Sequence, residues 1–402
     1  MTRKATGRIA AACLAASLVI ALHADGPQPP AGEKERTTVR QGVFNEKEKV
    51  EMMLEHAISL IESVVRERQY YGSKAGVTLE ESLRNCRNAL HQLRGEPLEE
   101  AKPQEQQPID EHKVPMAGDT KIMTLPGGVS MEMVYVAPGS FQMGSSSGNE
   151  DETPHQVRLT KGYWIGKYPV TQAQWNALVY YGVSVSFVGD FPVAAFSRNG
   201  MYSDVVSGMD TSDFPMENIG WYDCKTLVNA LNSVEREGRR WSLPTEAQWE
   251  FAARGGNKSR GYMYSGGNDM DSVGWHDANS GVQRLPKNAS EYEDLIKNRC
   301  RPHSVKEKDI GNELGIVGMS GNVYEWCNDW YRKDYYAHSP MVDPQGPTSG
   351  NKRVLRGGSW VDKARECRSA SRQGHVGDCI AVDPVRLPLF GLRLCCSAAP
   401  RE

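Results

Sequence analysis

Two stretches of the sequence, Gly318-Met-Ser-Gly-Asn-Val-Tyr-Glu-Trp-Cys-Asn-Asp-Trp330 and Arg353-Val-Leu-Arg-Gly-Gly-Ser-Trp360, decide the fold. The paired glycines of the second stretch allow backbone segments to approach closely, and its final tryptophan is expected to close a hydrophobic core. Trp326 and Trp330 lie four residues apart, and we interpret them as core residues, with an aromatic ligand surface as the alternative. The two stretches therefore predict a close backbone approach at the glycines and a core that contains tryptophan side chains.

The segment Leu243-Pro-Thr-Glu-Ala-Gln-Trp-Glu250 predicts the end of a strand followed by a capped helical turn. Thr245 is the expected cap, and Glu246 and Glu250 fall in the first turns, where the helix dipole favours carboxylates. Arg254 follows Glu250 by four residues, which is a spacing typical of a structural ion pair.

The surrounding sequence alternates short β-like runs, such as 131–136, with turns rich in Gly, Asn and Asp. It contains two convincing helices, one at 171–180 with Thr171 as its cap and one at 221–234. This pattern of short strands, turns and two helices predicts an α+β fold.

The length and charge of the chain limit what it can be. Its 402 residues exceed what one hydrophobic core usually organises, so we expect two unequal domains or one large domain with an extension. The 47 basic and 50 acidic residues give a net charge of −3. This balance offers no electrostatic reason to expect a nucleic acid or an anionic membrane as a partner.

The first residues predict export. Basic residues precede an apolar run at 9–22, which a short small-residue segment follows, as in a secretory signal peptide. We therefore assign 1–24 as a signal and expect a secreted or periplasmic protein with no transmembrane segment beyond that signal. A retained N-terminal anchor is the alternative, although the run is short for a membrane span.

Three further regions follow this signal. Apolar residues recur at helical spacing, with an intervening turn, and predict a helical hairpin at 46–95. A hairpin of this size needs a partner surface, so we interpret it as a spacer or an oligomerisation element. The segment 96–116 is rich in Glu, Gln, Pro and Lys and is typical of a linker, and 117–398 forms the main domain.

The predicted export determines which state we expect for the cysteines. Of the nine cysteines, Cys13 lies in the apolar run and would be removed with the signal. An oxidising compartment favours disulfides among the remaining cysteines. The adjacent residues Cys395 and Cys396 are more suited to separate partners, or to packing as free thiols, than to bonding to each other.

Read in order, the segments of the main domain resemble the formylglycine-generating-enzyme (sulfatase-modifying factor) family over about 280 residues. The resemblance rests on the segments quoted above together with Val136-Ala-Pro-Gly-Ser-Phe-Gln-Met-Gly144, Tyr163-Trp-Ile-Gly-Lys-Tyr-Pro-Val-Thr171 and Gly391-Leu-Arg393. It implies a bacterial-type member of the family with a variant of the C-type-lectin fold that has little regular secondary structure and is held by aromatic packing, turns and bound calcium.

The resemblance also implies calcium ligands. Glu325 would supply its carboxylate, and Gly321 and Val323 their backbone carbonyls, to a hard cation. Gly318 stands at the first ligand position, where the family has Asn, so weaker binding is expected. Asn279 is the candidate ligand of a second site. A buried, hydrogen-bonded Glu325 without calcium is the alternative.

The chemistry that the resemblance implies is Cu(I)-dependent oxidation of a substrate cysteine, and it requires two nearby thiolates. Cys367 is the candidate catalytic residue, but Asp362, a hard ligand, lies three residues past Ser359. The partner cysteine is missing, and copper binding is therefore doubtful. Cys379, or the pair formed by Cys395 and Cys396, could restore a dithiol only by folding back beside Cys367.

The sequence therefore favours a binding module or accessory factor with a protein, peptide or glycan ligand, and an active formylglycine-generating oxidase is the alternative. The segments 187–213, 282–309 and 373–388 are the least family-like and are the predicted recognition loops. The related iron-dependent sulfoxide synthases hold their metal in an additional helical domain. In this chain the N-terminal helices offer only His56 and His91 for such a role.

Overall fold

The structure is a computed structural model that describes residues 115–179, 183, 185, 187, 192–284, 292–376 and 386–397. The predicted signal at 1–24, the hairpin at 46–95 and all but the last two residues of the linker lie outside the described residues. Within the described part, no helix is long and apolar enough to cross a bilayer.

The described residues form mixed helix and strand structure, as the α+β prediction requires. A five-stranded sheet has the order β1-β2-β5-β11-β6, a four-stranded sheet has the order β10-β7-β8-β9, and β3 pairs with β4. The strands are β1 (Thr120–Leu125), β2 (Val129–Val136), β3 (Gly139–Met143), β4 (His155–Leu159), β5 (Tyr163–Gly166), β6 (Trp241–Ser242), β7 (Tyr324–Trp330), β8 (Arg353–Arg356), β9 (Arg372–His375), β10 (Phe390–Gly391) and β11 (Cys395–Ser397).

Both predicted helices are present. Helix α1 (Gln172–Ala177) is shorter than expected and begins at Thr171, whose hydroxyl accepts from the Gln174 amide in a capping box. Helix α2 (Trp221–Val234) has the predicted bounds. The predicted capped turn at Thr245 is the start of a longer helix, α3 (Glu246–Ala253). Two short helices were not predicted: α4 (Met270–Val273) and α5 (Tyr292–Lys297).

The middle of the five-stranded sheet is buried on both faces, whereas the edge strand β1 is exposed on one face, where Ile122 lies in solvent. Strand side chains alternate, so in β2 Met131 and Met133 pack in one hydrophobic cluster while Val134 and Val136 pack in another. The first cluster includes Trp326, which confirms its interpretation as a core residue. Two core layers therefore surround this sheet.

Trp330 is half-buried, and the guanidinium carbon of Arg353 lies 3.3 Å from the centroid of its ring. Trp221 stacks on the opposite side of this guanidinium, with its centroid 3.5 Å away. Cation–π contact on both faces of Arg353 means that Trp330 is engaged within the domain. Trp330 therefore packs on an arginine at the edge of the domain and is not one of the buried core residues.

The expected disulfides are not formed among the described cysteines, all of which are buried: Cys224, Cys300, Cys327, Cys367, Cys395 and Cys396. Adjacent strand residues point to opposite faces, which places Cys395 and Cys396 in different core clusters. Their expected separation is thus confirmed. Cys86 and Cys379 lie outside the described residues.

Candidate functional site

Cys367 ends a short 3-10 helix (Ala364–Cys367) that follows the Gly-Gly-Ser-Trp turn. Its side chain is fully buried, and the positive-φ residue Gly358 lies directly against it. A Cβ at Gly358 would stand only 2.6 Å from the Cys367 Sγ. The predicted close approach at the paired glycines is therefore a contact with this cysteine.

The Asp362 side chain is held by three hydrogen-bond donors. Its carboxylate accepts from the Ser359 amide at 3.0 Å and from the Ser359 hydroxyl, and the Tyr324 hydroxyl donates at 3.2 Å. Burial raises the pKa of this carboxyl, while the bonds from Ser359 and Tyr324 act in the opposite direction. Asp362 thus closes the turn that carries Trp360.

The surroundings of Cys367 disfavour its thiolate. Burial raises the pKa of this thiol well above its usual range, and the carboxylates of Asp362, Asp277 and Glu366 raise it further. The thiolate is the form that reacts and binds metal. These surroundings therefore favour the neutral thiol of Cys367 over the thiolate.

A second sulfur does not reach Cys367 from the C-terminal pair. Cys367 packs with Tyr264, Met270 and Val273, whereas Cys395 lies 3.3 Å from the Ser242 hydroxyl and Cys396 lies 4.0 Å from the Met123 sulfur. Among the described residues, no group of three or more His, Cys, Asp or Glu could hold a metal ion. The residues described around Cys367 do not fit a Cu(I) centre, since soft paired thiolates are lacking.

The Glu325 carboxylate is fully engaged by protein donors. Arg393 donates to it through Nε at 3.1 and 3.0 Å and through Nη2 at 2.7 Å, and the Trp249 indole donates at 2.7 Å. Both carboxylate oxygens therefore face donors, and the guanidinium neutralises the charge. A dication at this carboxylate would have to displace Arg393, so the arrangement does not fit a calcium centre.

The structure also describes the other residues proposed as calcium ligands. Gly318 and Gly321 both have positive φ, and the Gly321 amide donates to the Gly357 carbonyl at 2.7 Å. Val323, two residues after Gly321, is also buried. The Asn279 oxygen accepts from the His276 amide at 2.8 Å, so Asn279 closes a local turn.

Sequence reasoning missed a network of buried arginines. Arg372 donates to both oxygens of Glu246 at 2.7 and 2.8 Å. Arg356 donates to Glu250, which also receives Arg254 at 2.7 Å and so confirms the predicted i,i+4 pair. Arg356 is the last residue of β8, and Arg372 is the first residue of the neighbouring strand β9. Their positions at the ends of two paired strands are the one sequence signal that could have indicated their burial.

The predicted recognition loops 187–213 and 282–309 meet in the described part of the chain. Arg299 donates to the carbonyls of Asp204 and Val205 at 2.8 and 2.9 Å, and Lys306 pairs with Asp213 at 2.6 Å. These contacts bring the two loops together. Their role in binding stays a prediction.

A polar cavity of about 640 Å³ opens elsewhere on the domain. Its walls come from the loop between β3 and β4, the residues that flank β7 and β8, and strand β9. The lining residues are Gly148, Asn149, Glu150, Asp151, Tyr331, Lys333, Lys352, Arg372, Gln373 and Gly374. Of the predicted recognition loops, 373–388 is the one whose first residues reach this cavity.

Comparison with known proteins identifies the family. Residues 120–384 match the family model described as the sulfatase-modifying factor enzyme 1-like domain. The chain is 31% identical to the formylglycine-generating enzyme of Streptomyces coelicolor over 61% of this chain and 84% of that protein. It is 31% identical to the chaperone protein LppX of Paenibacillus barcinonensis over 58% of this chain and 80% of that protein.

A solved structure supports the same assignment. Treponema denticola variable protein 1 superposes with a TM-score of 0.51 and 26% identity, over 71% of this chain and all of that chain. The match of the family model to more than half of the chain agrees with these likenesses and with the mixed fold. The chain belongs to the sulfatase-modifying factor enzyme 1-like family, in which it is related to formylglycine-generating enzymes.

Proposed function

We propose that this chain uses the family fold as a binding module or accessory factor and does not carry out Cu(I)-dependent oxidation. One observation carries the proposal: Cys367 is a buried thiol in an apolar cluster, and nearby carboxylates, including Asp362 in the turn after Ser359, disfavour its ionisation. Dioxygen activation by Cu(I) needs soft, ionisable thiolates. The chemistry of this donor set argues against it.

The comparisons are compatible with either role. One relative is named a formylglycine-generating enzyme and another is named a chaperone protein, at the same identity. An active oxidase is therefore the second candidate, and it requires a sulfur close to Cys367. Cys379 is the one cysteine of the main domain outside the described residues, so it is the residue to test for this role.

A peptide-oxidation assay separates the two functions. Purified protein is incubated with copper, oxygen and a Cys-x-Pro-x-Arg peptide, with the Streptomyces coelicolor enzyme as the positive control, and the aldehyde is measured by mass spectrometry. We expect no aldehyde and no stoichiometric uptake of Cu(I). Aldehyde formation that is lost in both Cys367→Ser and Cys379→Ser would establish the oxidase instead.

We also propose that 1–24 directs export, that 46–95 and 96–116 act as a spacer and linker, and that the domain is a C-type-lectin variant. The composition of these segments supports the first two statements, and the resemblance of the motifs supports the third. Mass spectrometry of the mature N-terminus tests the signal. A mature protein that begins at Met1 would contradict export through cleavage.

A further inference from the structure

The loop that forms one wall of the cavity is held in place by a buried ion pair. The Glu152 carboxylate accepts from Arg368 at 2.9 and 2.7 Å, and the backbone of Glu152 bonds to Asn149 at 3.0 Å and to Ser145 at 2.7 Å. A Cβ at Gly148 would stand 1.9 Å from the Glu152 carboxylate, so a larger residue there would displace this paired side chain. The cavity wall is pre-formed, as ligand sites usually are.

Asp151 is a buried carboxylate in this wall, with 7% of its surface exposed. Its Oδ2 accepts from the Tyr331 hydroxyl at 2.8 Å, and the Tyr331 ring packs on Gly374, where a Cβ would be 2.2 Å from the ring. Within the described residues, Asp151 forms no ion pair through its side chain. A carboxylate held in this way at a cavity favours a cationic group on the ligand.

The other charges of the cavity are largely compensated. Arg372 pairs with Glu246, and Lys333 pairs with Glu150 at 2.7 Å on the surface. The Asp151 carboxylate raises the pKa of both cations electrostatically but forms no salt bridge with them. Lys352 is exposed and forms no ion pair with any residue that the structure describes. Within the part of the chain that the structure describes, Asp151 and Lys352 are therefore one negative and one positive group of a single cavity that have no salt bridge.

Strand β9 supplies the remaining wall through Gln373 and Gly374. In the order β10-β7-β8-β9, β9 is the edge strand of its sheet among the described residues. An edge strand can hydrogen-bond the main chain of an extended peptide, and alternate side chains of that peptide then share one face. This backbone edge favours an extended peptide as the ligand.

We propose that the cavity binds an extended peptide segment of a partner protein that carries one basic and one acidic side chain two residues apart. The basic side chain pairs with Asp151, the acidic one with Lys352, and the peptide main chain lies along Gln373 and Gly374. This inference deepens the proposed binding role and rests on it. It gives that role a site and a ligand class.

The test uses acetylated, amidated pentapeptide mixtures of the forms Gly-Lys-Xaa-Glu-Gly and Gly-Glu-Xaa-Lys-Gly, with Xaa random, immobilised for binding to the full chain. Two further mixtures replace either Lys or Glu by Gln. The protein variants are Asp151→Asn, which keeps an acceptor for Tyr331, and Lys352→Gln at an exposed position. Lys161→Gln, an exposed lysine outside the lining, is the matched control.

We expect wild type and Lys161→Gln to bind a doubly charged mixture about tenfold more tightly than either singly neutralised one. Asp151→Asn should no longer distinguish peptides with and without the basic residue, and Lys352→Gln should no longer distinguish those with and without the acidic residue. Melting curves confirm that each variant is folded, and the exposed Lys352→Gln suffices if Asp151→Asn does not fold.

Absence of binding to wild type at millimolar peptide would overturn the proposal, as would equal binding by all variants. A uniform loss without the matching charge preference would also overturn it. Aldehyde formation is scored separately on a cysteine peptide. A failed cavity test therefore leaves the non-oxidase proposal standing, and aldehyde formation leaves the cavity result intact.

Discussion

The guanidinium of Arg393 lies against the carboxylate of Glu325, with Nη2 to Oε1 at 2.7 Å, and both side chains are buried from solvent. Arg393 also donates to the carbonyls of Gly166 and Val317, at 2.8 and 2.9 Å. The ion pair therefore ties strand β7 to β5 and to the segment before β7. It occupies the carboxylate for which calcium was expected.

Arg393→Met should strongly destabilise the domain. Removing one member of a buried pair leaves an uncompensated charge, which costs about 3–5 kcal/mol. Guanidinium denaturation monitored by tryptophan fluorescence measures this loss. Lys306→Met, at the half-exposed pair with Asp213, is the control and should change the free energy of unfolding by less than about 1 kcal/mol. Similar losses in both variants would contradict the argument.

Calcium should not stabilise the protein through Glu325. Both oxygens of this carboxylate already accept hydrogen bonds from Arg393 and Trp249, so a cation gains no free ligand there. We expect the same melting temperature in excess calcium and in EDTA. A rise in melting temperature with calcium that disappears in Glu325→Gln would show that the cation replaces Arg393.

The buried cysteines should resist alkylation in the native protein. Burial raises the pKa of Cys395 to about 11 and that of Cys396 to about 12, and it raises that of Cys367 well above its usual range. Mass-spectrometric mapping after iodoacetamide should find these three unmodified until denaturant is added. Rapid native modification of Cys367 would contradict its burial and would favour the oxidase.

Glu217 should make stability depend on pH. It is fully buried, its Oε1 accepts from the Phe196 amide at 2.8 Å, and its Oε2 has no partner within the described residues. Burial raises its pKa from 4.5 to about 8, against the smaller effect of backbone hydrogen bonds. As pH rises, the Glu217 carboxyl therefore loses its proton at a lower pH in the unfolded chain than in the folded protein.

Between pH 4.5 and about 8, Glu217 should lower the free energy of unfolding by about 1.4 kcal/mol per pH unit. Glu217→Gln should remove this slope, as measured by urea denaturation across the range. Asp329, whose pKa burial raises to about 8, should leave a residual slope of the same sign. An unchanged slope in Glu217→Gln would mean that the carboxyl is hydrated in the native protein.

Several features of the fold were predictable because they are local. The caps at Thr171 and Thr245, and the pair of Arg254 with Glu250, join residues three or four positions apart. Helix α4 was not predicted because four residues carry too little periodicity to be recognised. The family motifs were recognisable as ordered segments, although the sequence did not show which of their charges are buried.

The sequence by itself determined the family, the mixed fold, the capped helices and the absence of a second cysteine near Cys367 in the chain. Tertiary structure alone decided that Glu325 forms an ion pair with Arg393, since these residues are 68 positions apart. It also decided the cavity, whose loop is fixed by Glu152 and Arg368 across 216 positions. Hydrogen bonds within one helical turn follow from neighbouring residues, whereas burial and ion pairing depend on which distant segments the fold brings together.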